Sequence, residues 1–134
     1  FMKIEHFAFN VKDPLLMSEW YSRHLGLKLV KQVNESPFTT FMADSSGRVM
    51  IEFYNNPPNN VPDYSSMHPL LLHLAFVSDN PDADRDRLIN AGATLVSEDR
   101  LEDGSHLLML RDPWGFSIQF CKRGVPMLEK KEII

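Results

Sequence analysis

Ile4-Glu5-His6-Phe7-Ala8-Phe9-Asn10-Val11 decides the fold, because the chain returns to it as Leu72-His73-Leu74-Ala75-Phe76-Val77. The two histidines stand 67 positions apart (73 − 6 = 67), and so do Glu52 and Gln119 (119 − 52 = 67). The punctuation between them repeats as well. Asp13-Pro14, Leu25-Gly26, Asp44-x-x-Gly47 and Ile51-Glu52-Phe53 answer to Asn80-Pro81, Ala91-Gly92, Asp112-x-x-Gly115 and Ile118-Gln119-Phe120. A duplicated unit is the simplest source of such a pattern. Two facing half-domains would bring four side chains able to hold a metal, His6, Glu52, His73 and Gln119, to one space.

Residues 3–11 alternate as a strand. Asp13 can cap a helix whose first position is Pro14. Leu16, Trp20 and Tyr21 follow at helical spacing, and Gly26 supplies a left-handed stop. Strands are expected near 27–33, 38–44 and 49–54, the last two joined by the turn Asp44-Ser45-Ser46-Gly47. Residues 55–68 read as a linker, since their Pro and Asn content resists both helix and ladder. The order then repeats, with a strand at 70–78, a helix at 81–91, and strands near 93–98, 105–111 and 115–121. The expected fold is α+β: two tandem βαβββ modules in one domain, about 3–54 and 70–122, with a tail at 123–134. Their mixed sheets would form a concave, partly closed barrel.

Side chains alternate along a strand, so parity sorts them into faces. Val49, Ile51 and Phe53 share one face of their strand, and Met50, Glu52 and Tyr54 the other. Phe116, Ile118 and Phe120 are likewise opposed to Ser117, Gln119 and Cys121. The apolar face should cover the helix of its own module. His6, Glu52, His73 and Gln119 then all fall on the opposite, concave face. The plainer reading of such residues is a set of solvated or hydrogen-bonded polar groups on a half-exposed sheet. Their type and their matched places favour a metal site. Met50 and Tyr54 are candidates to line it, while Cys121 reads as a small hydrophobe. Trp114 reads as cover for a hairpin, and His24 and His68 as surface residues. His106 lies in a strand whose faces the sequence does not sort.

Composition narrows the classes. A chain of 134 residues suits one domain. With 43% hydrophobic and 24% charged residues it has the balance of a soluble globular protein. No apolar run approaches the ~18 residues of a membrane span, and the N-terminal residues show no secretory pattern. Phe1, ahead of the expected initiator Met2, is set aside. A net charge of −4 and the lack of a Lys/Arg stripe argue against nucleic acid. The single cysteine, Cys121, fits a reducing, cytoplasmic setting. The tail mixes Lys and Glu and reads as a surface segment. No glycine-rich phosphate loop and no Ser-His-Asp spacing is present.

From about Lys3 to Arg123 the chain resembles the vicinal oxygen chelate superfamily, which includes glyoxalase I, methylmalonyl-CoA epimerase, extradiol dioxygenases and bleomycin resistance proteins. The carrying segments are those around His6, Val49-Met50-Ile51-Glu52-Phe53, the segment around His73, and Asp112-Pro113-Trp114-Gly115-Phe116-Ser117-Ile118-Gln119-Phe120. The resemblance implies one divalent ion, Zn, Ni, Co, Mn or Fe, held by His6, Glu52, His73 and Gln119. It also implies a small-molecule substrate and a homodimer, with modules paired within one chain or across two. Glyoxalase-like relatives usually carry glutamate where this chain has Gln119. An amide oxygen can hold a metal but is no base, so Glu52 is the expected catalytic base. The implied reaction is a lyase or isomerase step, a proton moving next to a carbonyl while the ion stabilises the enolate charge. Glu52, or water on the ion with a pKa near ~7, would take that proton. Two alternatives use the same residues otherwise. His6, His73 and Glu52 form a two-histidine, one-carboxylate set suited to non-haem Fe(II) dioxygenase chemistry. A metal-free, drug-sequestering protein of the bleomycin-resistance type is the other.

Overall fold

A computed structural model describes residues 1–128 of the chain. The remainder of the tail, 129–134, lies outside the described residues. The chain divides into two compact units, residues 1–62 and residue 63 onward.

In the first unit the elements are β1 (His6–Asn10), α1 (Pro14–Leu25), β2 (Lys28–Gln32), β3 (Thr40–Ala43) and β4 (Met50–Tyr54). The strands form a mixed sheet in the order β1-β4-β3-β2, in which β1 and β4 run parallel and the other pairs antiparallel. Helix α1 starts where Asp13 accepts a hydrogen bond from the Leu16 amide at 3.1 Å and Pro14 needs no partner. It stops at Gly26, whose φ of 71° is the left-handed conformation that glycine adopts without strain. Its inward stripe is Met17, Trp20 and Tyr21, all buried. Leu16 departs from the expected stripe. It is 53% exposed, because Met17, one helical step of 100° further round, faces the sheet instead. Phe53, fully buried, meets Tyr21 at 5.9 Å between ring centroids and Phe9 at 5.7 Å. Truncating such a residue typically costs about 3–5 kcal/mol.

The second unit repeats the plan with β5 (Leu74–Val77), α2 (Pro81–Asn90), β6 (Thr94–Arg100), β7 (His106–Arg111) and β8 (Ser117–Lys122). Its sheet order is β5-β8-β7-β6, again with the first pair parallel. Asn80 caps α2, Asp82 and Asp84 lie in its first turn, and Leu88 is its buried anchor. Leu108, Leu110, Ile118 and Phe120 make the core face of the sheet.

Two segments also differ from expectation. The segment 55–68 is not wholly irregular, since Tyr64–Ser66 make one 3-10 turn. Tyr64 is buried there against Phe116, at 4.9 Å between ring centroids, so an aromatic anchor overrides the poor local propensity. The strand expected over 70–78 is shorter, and His73 stands one residue ahead of β5. The Leu70–Leu72 stretch turns back on His68, whose carbonyl accepts from the Leu71 amide at 2.9 Å.

Candidate metal centre

Register sorts the faces residue by residue. In the first unit His6 pairs with Met50, Ala8 with Glu52 and Asn10 with Tyr54, while Phe41 on β3 pairs with Glu52. These residues share the face turned away from α1. Met50 and Tyr54 flank Glu52 on it and are half-buried. In the second unit Ala75 and Met109 pair with Gln119. The face opposite the Leu108–Phe120 core therefore carries Gln119 and Cys121, while His73 stands just ahead of β5, outside the paired register.

His6 and Glu52 meet. Nε2 of His6 lies 3.2 Å from Oε1 of Glu52, although 46 residues separate them (52 − 6 = 46). The parallel β1–β4 pairing makes this contact, by setting the first strand of the unit beside its last. Nδ1 of His6 lies 2.8 Å from Oε1 of Glu5, and the edge of Phe41 packs against the ring at 5.5 Å. The imidazole is thus held from two sides with Nε2 toward the carboxylate. Glu52 keeps only 14% of its side chain exposed, against 35% for His6, so the pair is sheltered but reachable.

His73 is oriented by a different partner. Its Nδ1 lies 2.9 Å from the carbonyl oxygen of Pro69. A carbonyl only accepts, so Nδ1 carries the hydrogen and Nε2 is the nitrogen left for a ligand. Gln119 accepts at Oε1 from the thiol of Cys121, at 3.4 Å. Burial pushes that thiol up from its ordinary 9.0, against a smaller opposing pull from Arg123.

These groups have the chemistry a divalent cation needs. Neutral imidazole and carboxylate are ordinary ligands of Zn²⁺ and its neighbours at about 2.0–2.2 Å. Two ligands on one such ion sit roughly 3–3.5 Å apart, which the His6–Glu52 separation of 3.2 Å matches. Histidine ligands are commonly anchored through the other ring nitrogen by a carboxylate or a carbonyl. Glu5 and Pro69 supply one of each.

Another group of three potential ligands, absent from the sequence reading, is Asp82, Glu98 and His106, whose atoms lie within 4.8 Å of one another. Guanidinium groups already occupy it. Arg85 reaches Asp82 at 3.1 Å and Glu98 at 2.9 Å, Arg100 reaches Asp82 at 3.0 Å, and buried His106 lies 2.9 Å from Glu98. Asp82 is held below its ordinary 3.8. Desolvation is the largest single influence and opposes this, but the hydrogen bond and charge of Arg100, with Arg85, outweigh it. Arg85 is raised, first by its hydrogen bond to Asp86 and then by Glu98. The cluster is an ion-pair network joining α2 to β6 and β7. The run Leu107-Leu108-Met109-Leu110 has no polar alternation from which the face of His106 could be sorted. The register does sort it, placing His106 with Leu108 and Leu110 on the α2 side.

The comparisons agree with this architecture. The family described as Glyoxalase/Bleomycin resistance protein/Dioxygenase superfamily matches residues 3–120. Comparison with curated proteins gives no match. Among solved structures, a glyoxalase family protein from Bacillus cereus superposes with a TM-score of 0.76 at 20% identity, covering 92% of this chain and 95% of the other. TnmS3, an antibiotic binding protein from Streptomyces sp. CB03234, gives 0.71 at 18%, covering 92% and 97%. A lactoylglutathione lyase from Agrobacterium tumefaciens gives 0.65 at 20%, covering 90% and 93%. At such identities the likeness is one of fold. The duplicated βαβββ plan and the match across nearly the whole chain lead to one conclusion: this protein belongs to the Glyoxalase/Bleomycin resistance protein/Dioxygenase superfamily.

Proposed function

We propose that this protein is a glyoxalase-like, divalent-metal-dependent lyase or isomerase that moves a proton next to a carbonyl of a small oxygen-chelating substrate. The observation that carries the reading is the 3.2 Å approach of His6 Nε2 to Glu52 Oε1, on the sheet face left free by α1. The reading requires the two modules to pair, in one chain or across a homodimer, as a partly closed barrel. His6, Glu52, His73 and Gln119 then hold one ion. Nothing long and apolar enough to cross a membrane occurs among the helices of the described residues; the acidic balance suits a small-molecule partner rather than nucleic acid, and the single cysteine suits the cytoplasm.

When bound, the cation would supply a positive charge against which substrate oxygens become more acidic at the adjacent carbon. The chain's own residues do the rest. Glu52 accepts the proton, the only carboxylate among the four matched places. His6, braced by Glu5 and Phe41, keeps Glu52 from turning away. Met50 and Tyr54 flank Glu52 on the same face of its strand and would line the pocket. Gln119 orients without exchanging protons.

Metal analysis of protein purified without chelators, set beside His6→Ala and His73→Ala, tests the reading. About one divalent ion per site, lost in both variants, is the expected result. Equal metal in all three proteins overturns it. Glyoxalase, epimerase and oxygen-uptake assays with each metal restored then separate the chemistries, oxygen consumption with a catechol favouring the dioxygenase alternative. One observation favours the sequestering alternative, namely the apolar company of Glu52 on its face, Phe41, Met50 and Tyr54. Tight binding of an aromatic drug with no turnover in any assay would establish that role instead.

A further inference from the structure

Arg111, at the end of β7, makes four hydrogen bonds, all to neutral acceptors. Nη1 donates to the carbonyl of Tyr64 at 2.8 Å, to that of Gly115 at 3.0 Å and to the Ser117 hydroxyl at 3.3 Å. Nη2 donates to the carbonyl of Met67 at 2.8 Å. No carboxylate pairs with it among the described residues. A half-buried guanidinium gives up hydration, and no ion pair offsets that loss here. What it gains is geometric. Its rigid fork sets two carbonyls three residues apart in fixed directions, which the freely rotating donors of a lysine ammonium do not impose.

The segment so held leads directly to His73. Met67 is followed by the turn at His68, Pro69 and Leu70, and the carbonyl of Pro69 takes the His73 Nδ1 hydrogen. The contact at the far end of the clamp is equally close. A Cβ on Gly115 would lie 2.5 Å from that of Ser65. Register brings the parts close. Arg111 pairs with Ser117, and the ladder between β5 and β8 opens at Leu74 and Ile118, the residues that directly follow His73 and Ser117.

We propose that Arg111 is a positioning residue: by tying residues 64–67 to the 112–117 hairpin it places the Pro69 carbonyl, and so fixes the His73 ring with Nε2 free to bind a metal. The consequence for metal affinity rests on the reading of His73 as a ligand; the consequence for the ring does not.

The test is nitrogen NMR of the histidine rings in metal-free protein in mildly alkaline buffer, for wild type, Arg111→Lys and Arg111→Met. In wild type His73 should show a protonated Nδ1 and a bare Nε2. In both variants it should revert toward the Nε2–H form that free imidazole side chains prefer, with His6 unchanged. Arg111→Lys keeps the charge and guards against loss of the fold. Its zinc affinity should fall by about tenfold or more, as for other residues that orient a histidine ligand. An unchanged His73 tautomer in folded Arg111→Lys overturns the proposal. Failure of the ligand reading looks different: His73→Ala would bind zinc as tightly as wild type, while the tautomer still depended on Arg111.

Discussion

Cys121 donates its thiol hydrogen to the amide oxygen of Gln119 across one pleat of β8, at 3.4 Å. The weak thiol donor takes one lone pair of the amide oxygen and leaves the second for another partner. The contact also marks the place where the chain departs from the glyoxalase-like pattern. Gln119→Glu would restore a carboxylate on the second module. Proton-transfer activity toward a glyoxalase-type substrate should rise by one or more orders of magnitude if Glu52 alone limits the rate, as general bases contribute about 10²–10⁴-fold. Isotope exchange of a substrate α-hydrogen measures it, and no change would show that position 119 is not part of the proton path.

Glu52→Gln should separate binding from chemistry. The amide keeps one oxygen ligand but cannot take a proton. Metal content should fall only partly, while proton abstraction falls by about 10²-fold or more. Metal analysis beside α-hydrogen exchange reads the two effects. Equal activity of the variant and wild type would remove Glu52 from the base role.

Gly115→Ala should destabilise the second unit. At φ of 86° a Cβ is strained, and it would also collide with Ser65 at 2.5 Å. The expected cost is about 2–4 kcal/mol, strain and overpacking together. Urea unfolding measures it, and a change within about 0.5 kcal/mol would mean the 3-10 turn shifts freely.

Cys121 supplies a pH dependence with a definite sign. Burial raises its folded value above the ordinary 9.0, so the fold favours the neutral thiol. That contribution is complete below 9.0 and is lost as pH rises from there through the folded value. Native protein should react slowly with iodoacetamide near neutrality and rapidly in denaturant. Cys121→Ser should flatten the alkaline loss of stability seen in urea midpoints.

Asp82 titrates in the opposite sense. Its folded value lies below 3.8, so its contribution is present above 3.8 and disappears as acid takes the pH through the folded value. Asp82→Asn should be less stable than wild type near neutrality, and the two should converge in acid. Added zinc or manganese should not raise the melting temperature of the His106→Ala variant and of wild type differently, because Arg85 and Arg100 already neutralise the cluster.

Much of this architecture was legible because two periodicities were written over each other. Alternation separated Glu52 from Phe53 and Gln119 from Phe120, and the register agrees. Asp13-Pro14 and Asn80-Pro81 announced both helix starts, because caps act through neighbours in sequence. Long-range contacts left no such mark. Arg111 is one cation among fourteen Lys and Arg, and its partners at Tyr64 and Met67 lie 47 and 44 positions away. The Asp82–Glu98–His106 network depends on a ladder whose register slips between Leu95 and Ser97, which periodicity cannot foresee. Leu16 falls outside the buried stripe because helical spacing leaves a boundary residue undecided until Met17 finds the sheet.

The parallel pairing of β1 with β4 has one last consequence, for kinetics. His6 and Glu52 approach only after the intervening helix and two strands have closed a loop of 46 residues, a slow and entropically demanding event. The pair should assemble late, as its module is completed. Capture of a metal probe at this pair during refolding would therefore time the closing of the whole module, where helix formation times only its beginning.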